Sequence, residues 1–167
     1  MNARLSFISR WWQSKGFGIE SRTDFDYLHD VLRERLPFYA YAELEQMYPQ
    51  ATRDEHRLAQ LLFRISNAEQ PSHTRLLGLP SAINATALEK VASRRSGGEL
   101  VFGEGEVTLP HFHGISVLVL THIDTLNDEL WKRVLHTPCA ITYDMQTVGV
   151  ALFRRERYAE HYYIQKP

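Results

Sequence analysis

The side chains with the clearest ligand character are His111 and His113 in "LPHFHG", followed by His122 and Asp124 in "LTHID". An H-x-H pair on extended backbone turns both rings to one side, and a third histidine at a strand end would extend a partial Zn²⁺ set. No fourth ligand stands at a spacing that makes a zinc signature specific, and the chain holds 8 histidines, so the reading is that no metal is bound. Ser81 lies in a strand-to-helix turn, "LPSAI", but lacks the flanking glycines that make a nucleophile elbow possible. Cys139 opens an apolar run and reads as an inert core thiol. The basic runs "SRR", 93–95, and "RRERY", 154–158, read as solvated turns at element ends.

A second kind of signal is a turn. "TRLLGLPSAINATALEKV", Thr74 to Val91, has the form of a strand, a turn with one glycine, and a helix. Such a unit brings a helix N-terminus up to a ligand when glycines let the backbone approach closely. Here only Gly78 supplies that freedom, and Pro80 removes a backbone donor.

These candidates need elements to hold them. Ser21 and Asp24 precede Phe25, Leu28, Val31 and Leu32 at helical spacing, which predicts a first helix ending before Pro37. "PFYAYAELEQMYP" predicts a short helical turn packed beneath the domain. Thr52 and Glu55 form a capping box opening a second long helix with Leu58, Leu61, Leu62 and Ile65 on one face. From "NAEQPSH" onward short apolar runs alternate with helical patterns. "TRLLGL", "GELVFG" and "ISVLVL" read as strands, "NATALEKVAS" as a helix, and "LNDELWKRVLH" as a helix capped by Thr125. "CAITYD", "VGVALFR" and "HYYIQ" then read as antiparallel strands. The whole is one α/β domain over 1–167, with a helical N-terminal cap over 1–70 and an α/β core over 71–167.

The order of pieces resembles a class I S-adenosylmethionine-dependent methyltransferase of the O-methyltransferase-like group. "GFGIESRTDFDYLHDVLRERLPFYAYAELE", Gly16 to Glu45, is similar to that family's N-terminal segment. "LWKRVLHTPCAITYDMQTVGVALFRRERYAEHYYIQ", Leu130 to Gln165, is similar to its terminal helix and strands. The resemblance implies a three-layer Rossmann-like sheet, shortened, with Gly78, Ala82 and Glu104 at vestigial cofactor positions. Leu76 stands where the family has an acid, and Ala82 where it has a second glycine. Glu104 matches the acid that accepts from the ribose hydroxyls. About a dozen residues follow Glu104 before the next strand, far fewer than in the family, and Thr121 and His122 stand at the family's acidic pair.

Methyl transfer needs its reactants held in line, and loss of the glycine loop, the intervening strands and the acidic pair removes that positioning. The resemblance therefore implies a pseudoenzyme without a cofactor, acting as a binding or assembly partner in a homodimer or with an intact methyltransferase paralogue. The alternative is an O-methyltransferase using S-adenosylmethionine and completed by a partner chain.

Bulk properties agree with a cytoplasmic protein that binds neither nucleic acid nor membrane. Lys and Arg number 19 against 20 Asp and Glu, giving net charge −1 and no general attraction to phosphate backbones. One cysteine permits no intrachain disulfide. With 44% hydrophobic residues the chain can bury a sizeable core. "MNARLSFISRWWQSKG" carries Arg4, Arg10 and Lys15 beside Leu5, Phe7, Ile8, Trp11 and Trp12; the tryptophans are expected to dock on the domain or a second subunit. Tyr39, Tyr41, Tyr48, Tyr158, Tyr162 and Tyr163 predict an aromatic layer between the N-terminal helices and the final strands, or a subunit interface. Deleting residues 1 to 15 is expected to lower the melting temperature or dissociate an oligomer, as read by calorimetry and light scattering.

Overall fold

The computed structural model describes residues 7–90 and 97–166. Leu5, Arg4 and the "SRR" run at 93–95 lie outside them. The N-terminal half is helical: α1 (Phe7–Ser14), α2 (Arg22–Tyr27), α3 (Tyr39–Met47) and α4 (Arg53–Glu69). α2 starts where Ser21 accepts from the Asp24 N–H, and it runs into a π-helical turn over Leu28–Leu32, where Arg33 N–H bonds the Leu28 carbonyl. The single predicted helix is thus two geometries in series. The capping box of α4 forms as expected, with Thr52 accepting from Glu55 N–H and Glu55 accepting from Thr52 N–H.

The second half alternates: β1 (Pro71–Gly78), α5 (Ala82–Glu89), β2 (Gly97–Glu104), β3 (Ile115–Thr121), α6 (Asp128–Leu135), β4 (Ala140–Asp144), β5 (Val148–Phe153) and β6 (Glu160–Tyr163). One six-stranded sheet results, in the order β1-β2-β3-β5-β4-β6. β1, β2 and β3 are parallel, while β5 is antiparallel to both β3 and β4. The expectation of three antiparallel final strands is corrected at β6, which pairs parallel to β4, Tyr143 opposite Tyr162. β5 has both edges taken, by β3 and β4, so the chain returning from it adds to the nearer open edge, that of β4.

Strand alternation divides the core between two faces. Leu100, Phe102, Val117, Val119, Val150 and Tyr143 pack against the π turn and α4 residues Leu61, Leu62 and Ile65. Val101, Leu118, Leu120 and Ala151 pack against Leu130, Trp131 and Val134 of α6. Helices therefore cover both faces of the sheet, and the protein is mixed α/β. Trp131 lies flat enough on the second face that a Cβ at Gly149 would sit 2.6 Å from its ring. α3 and α5 meet α4 in a third cluster, around Ala40, Leu44, Phe63 and Ile83. No described helix is long and apolar enough to cross a membrane.

α1 does not take the first of its two expected orientations, tryptophans against the domain. Its polar side faces the domain: Arg10 Nη1 donates to the Asp144 carboxylate at 2.9 Å and to the Asp144 and Ile164 carbonyls, and Ser14 Oγ accepts from Gln165 N–H at 2.7 Å. Gln13 Oε1 accepts from Tyr163 N–H at 2.7 Å. The apolar side points outward, with Phe7 71%, Ile8 64%, Trp11 42% and Trp12 46% exposed. The tryptophans do not dock on their own domain. β6 offers unpaired backbone donors and acceptors on its outer edge, and only polar side chains can satisfy these.

The same logic places Asp24. Its buried carboxylate accepts from Arg157 Nη2 and the Tyr162 hydroxyl, each at 2.9 Å, and its carbonyl accepts from the Tyr143 hydroxyl at 3.1 Å. Burial, reinforced by the Asp24 carboxylate, pushes both phenols well above the ordinary tyrosine range, so they remain donors. Tyr27 stacks on Tyr143, with ring centroids 5.8 Å apart. The aromatic layer is therefore Tyr27, Tyr143 and Tyr162, while Tyr39 and Tyr41 surround Phe63 and Tyr158 is exposed. The "RRERY" run is structural in part, since Arg154 grips Glu69 at 2.8 Å and Arg157 grips Asp24. Asp24→Ala strands the half-buried Arg157 guanidinium and the buried Tyr162 phenol, and chemical denaturation is expected to show a loss of about 3 kcal/mol. Asp26→Ala, whose partner Arg22 is exposed, is expected to cost less than about 0.5 kcal/mol.

Candidate functional site

In a parallel sheet the loops after the strands form the natural ligand face. Here the carboxyl ends of β1, β2 and β3 bring Gly78, Glu104 and Thr121 to one end of the sheet. Gly78, Ala82 and Glu104, the vestigial cofactor positions, are brought together.

They meet by binding one another. Gly78 has φ +76°, and a Cβ there would stand 2.1 Å from the Glu104 carbonyl oxygen. Its glycine is required by the close approach of β1's end to the loop after β2. The Glu104 carbonyl accepts from Leu79 N–H at 2.9 Å. The Glu104 carboxylate accepts from Ser81 N–H at 2.8 Å and from Asn84 Nδ2 at 2.9 Å, both through Oε2. An acid at the start of α5 is favourable because the first N–H groups of a helix lack intrahelical acceptors. Ser81 is the N-cap residue, but its hydroxyl makes no capping bond; Glu104 instead holds the Ser81 N–H from the neighbouring strand.

The next loop is tied in the same manner by Asn127. This buried side chain donates from Nδ2 to the Gly105 and Thr121 carbonyls, both at 2.7 Å, and accepts at Oδ1 from Val107 N–H at 3.0 Å. One amide thus bridges the ends of β2 and β3 and the start of the connecting loop. Thr121 and His122, at the resemblance's acidic pair, are hydrogen-bonded to each other, Oγ1 to Nδ1 at 2.9 Å. Thr121 is buried and also accepts from Gly105 N–H at 3.3 Å, while His122 is exposed with φ 54°. Expected to cap α6, Thr125 does not; the N-cap residue is Asn127, whose side chain bonds the sheet loops and leaves the cap unmade.

The histidine candidates separate. His113 precedes β3 and His122 follows it, so a seven-residue strand about 23 Å long lies between them. His111 and His113 sit at the amino end of the sheet, His122 and Asp124 at the carboxyl end. Among the described residues no three His, Cys, Asp or Glu side chains gather as a metal set. Cys139 is half-buried with φ 66°, just before β4.

Beside the β1–α5 turn lies an open cavity of about 390 Å³, lined among others by Met47, Tyr48, Ala51, Ala82 and Ile83. Its one charged lining residue, Glu55, is engaged with Thr52 in the capping box of α4. Glu104 does not line it. A ligand there would find apolar walls without a free charge to fix its orientation.

The sequence pointed to Glu104 but not to its partners Ser81 and Asn84, and it missed Asn127. The available signal for Asn127 was its place before "DELW", which indicates a helix cap; nothing local indicates that the amide turns to another strand. No family model, curated protein or solved structure matches the chain.

Asn127→Ala leaves two carbonyls and one N–H without their partner, and urea unfolding is expected to show a loss of about 3 kcal/mol. Thr125→Ala, which removes no hydrogen bond, is expected to stay within about 0.5 kcal/mol of the parent.

Proposed function

We propose that this chain is a shortened, methyltransferase-like α/β protein that has lost S-adenosylmethionine binding and methyl transfer and serves as a binding or assembly partner. The observation that carries this reading is the engagement of Glu104. The acid that the resemblance assigns to a ribose accepts instead from Ser81 N–H and Asn84 within its own chain. A ribose reaching it would find Oε2 already holding two donors, which leaves Oε1 alone rather than the whole carboxylate.

Strand order supports the same conclusion. In doubly wound sheets the ligand crevice forms where the winding reverses, with strands on both sides of the first. β1 pairs only with β2 and forms an edge of the described sheet, so β1, β2 and β3 wind one way without a reversal. The surface offered for assembly is the outer side of α1. Phe7, Ile8, Trp11, Trp12 and Phe17 are all exposed, Trp12 and Phe17 edge to face with centroids 4.6 Å apart. Contiguous aromatic surface of this kind marks an interface, and aromatic residues dominate interface energetics. The occupant proposed is a second copy of the chain.

The free edge of β1 favours one other reading, an enzyme whose sheet a partner strand completes. Calorimetric titration separates the two. S-adenosylmethionine and S-adenosylhomocysteine are expected to show no dissociation constant tighter than about millimolar, equivalent to about 4 kcal/mol. A micromolar constant abolished by Glu104→Ala would return the chain to the enzymes. Light scattering is expected to find a dimer that Trp11→Ser with Trp12→Ser converts to monomer; a parent monomer at all concentrations defeats self-assembly through this face.

A further inference from the structure

We propose that the cavity between the π-helical turn and α4 binds the phosphate group of a small phosphorylated ligand. The cavity holds about 320 Å³, at the lower end of the range of small-molecule sites. Four arginines line it, Arg33, Arg35, Arg57 and Arg64, together with Glu34 and Gln60.

The arginines divide by what holds them. Arg64 is structural: its Nε donates to the Val31 carbonyl at 2.7 Å, Nη2 to Leu32 at 3.0 Å, and Nη1 to the Tyr41 hydroxyl at 3.0 Å. It thereby satisfies carbonyls that the π turn leaves open at its end. Arg57 has a long contact with exposed Asp54, at 3.7 Å. Arg33 and Arg35 make no side-chain hydrogen bond or ion pair among the described residues, and Arg33 Nη1 is buried without an acceptor. Glu34 forms no ion pair with them; its Oε1 accepts from Arg35 N–H at 2.6 Å and Leu36 N–H at 2.8 Å.

A buried guanidinium N–H without an acceptor is costly, and an arginine beside another arginine more so. Burial first, and Arg35 second, lower the Arg33 guanidinium from its ordinary range, the sign of a cation lacking an anion. The four cations are set against Glu34 and the Asp54 partner of Arg57, an excess of two positive charges. A phosphate monoester carries about −1.5 to −2 at neutral pH and three acceptor oxygens. Guanidinium groups match those oxygens in paired hydrogen bonds, which makes arginine the suited residue. This site is independent of the Glu104 end of the sheet and of the assembly reading.

The test is calorimetric titration of the full chain at fixed ionic strength with inorganic phosphate, glycerol 3-phosphate, succinate and phosphatidic acid vesicles. Both soluble phosphates are expected to bind saturably, with Arg33→Gln or Arg35→Gln weakening them about tenfold or more. Without phosphate, Arg33→Gln is expected to melt at or above the parent temperature, since it removes an uncompensated cation, whereas a purely structural Arg33 would melt lower. The proposal is overturned by absence of binding beyond a chloride control, by succinate binding as tightly as the phosphates, by binding confined to vesicles, or by unchanged affinity in Arg33→Gln.

Discussion

The Asp24 carboxylate is the contact on which the arrangement of the whole protein turns. It belongs to the first turn of α2, yet its partners Arg157 and Tyr162 come from the last strand and the turn before it. A buried charge of this kind adds little net stability over an apolar contact, but it tolerates only one geometry. Tyr143 reads the same residue through its carbonyl, and Tyr27 then stacks on Tyr143. The N-terminal helices and the far end of the sheet are locked into one register by a single acid, with Arg10 on Asp144 and Arg154 on Glu69 as further ties across the same seam.

At the carboxyl ends of β2 and β3 polar groups serve the chain itself. Glu104 holds the start of α5, and Asn127 holds the ends of β2 and β3. Both are side chains of kinds that bind ligands in other proteins, and both are turned to backbone groups of neighbouring loops. These bonds fasten together the loops that would shape a pocket, although the buried Ser81 hydroxyl and Asn84 Oδ1 beside Glu104 have no partner among the described residues. The arginine-lined cavity under the π turn differs in kind, because there the polar groups outnumber the acceptors offered to them.

Periodicity and capping were legible in the sequence. The Thr52–Glu55 box, the α4 stripe, the "GELVFG" strand and the "ISVLVL" strand buried on both faces are local patterns, and each appears where the pattern puts it. Relations between distant residues were not. The Trp11–Trp12 stripe looked like a docking face because burial of apolar surface is the stronger general drive. What decided the orientation of α1 was an open strand edge more than a hundred residues away, which takes Arg10, Gln13 and Ser14. Likewise "HFH" and "THID" are close in sequence, but a strand lies between them and sends them to opposite ends. The parallel pairing of β6 follows from the chain reversing after β5 onto the open edge of β4, a relation no local pattern contains.

The seam between Asp24 and Tyr162 also sets an order of events during synthesis. Residues 10–24 leave the ribosome well before their docking partners at 143–165. Until then α1 has nothing to hold its polar side and α2 has an unpaired acid. Contacts spanning well over a hundred residues carry a large loop-closure cost and are met late in folding. The chain therefore passes through an interval in which its sheet is nearly complete while α1 and the start of α2 are undocked and their polar side chains unpartnered.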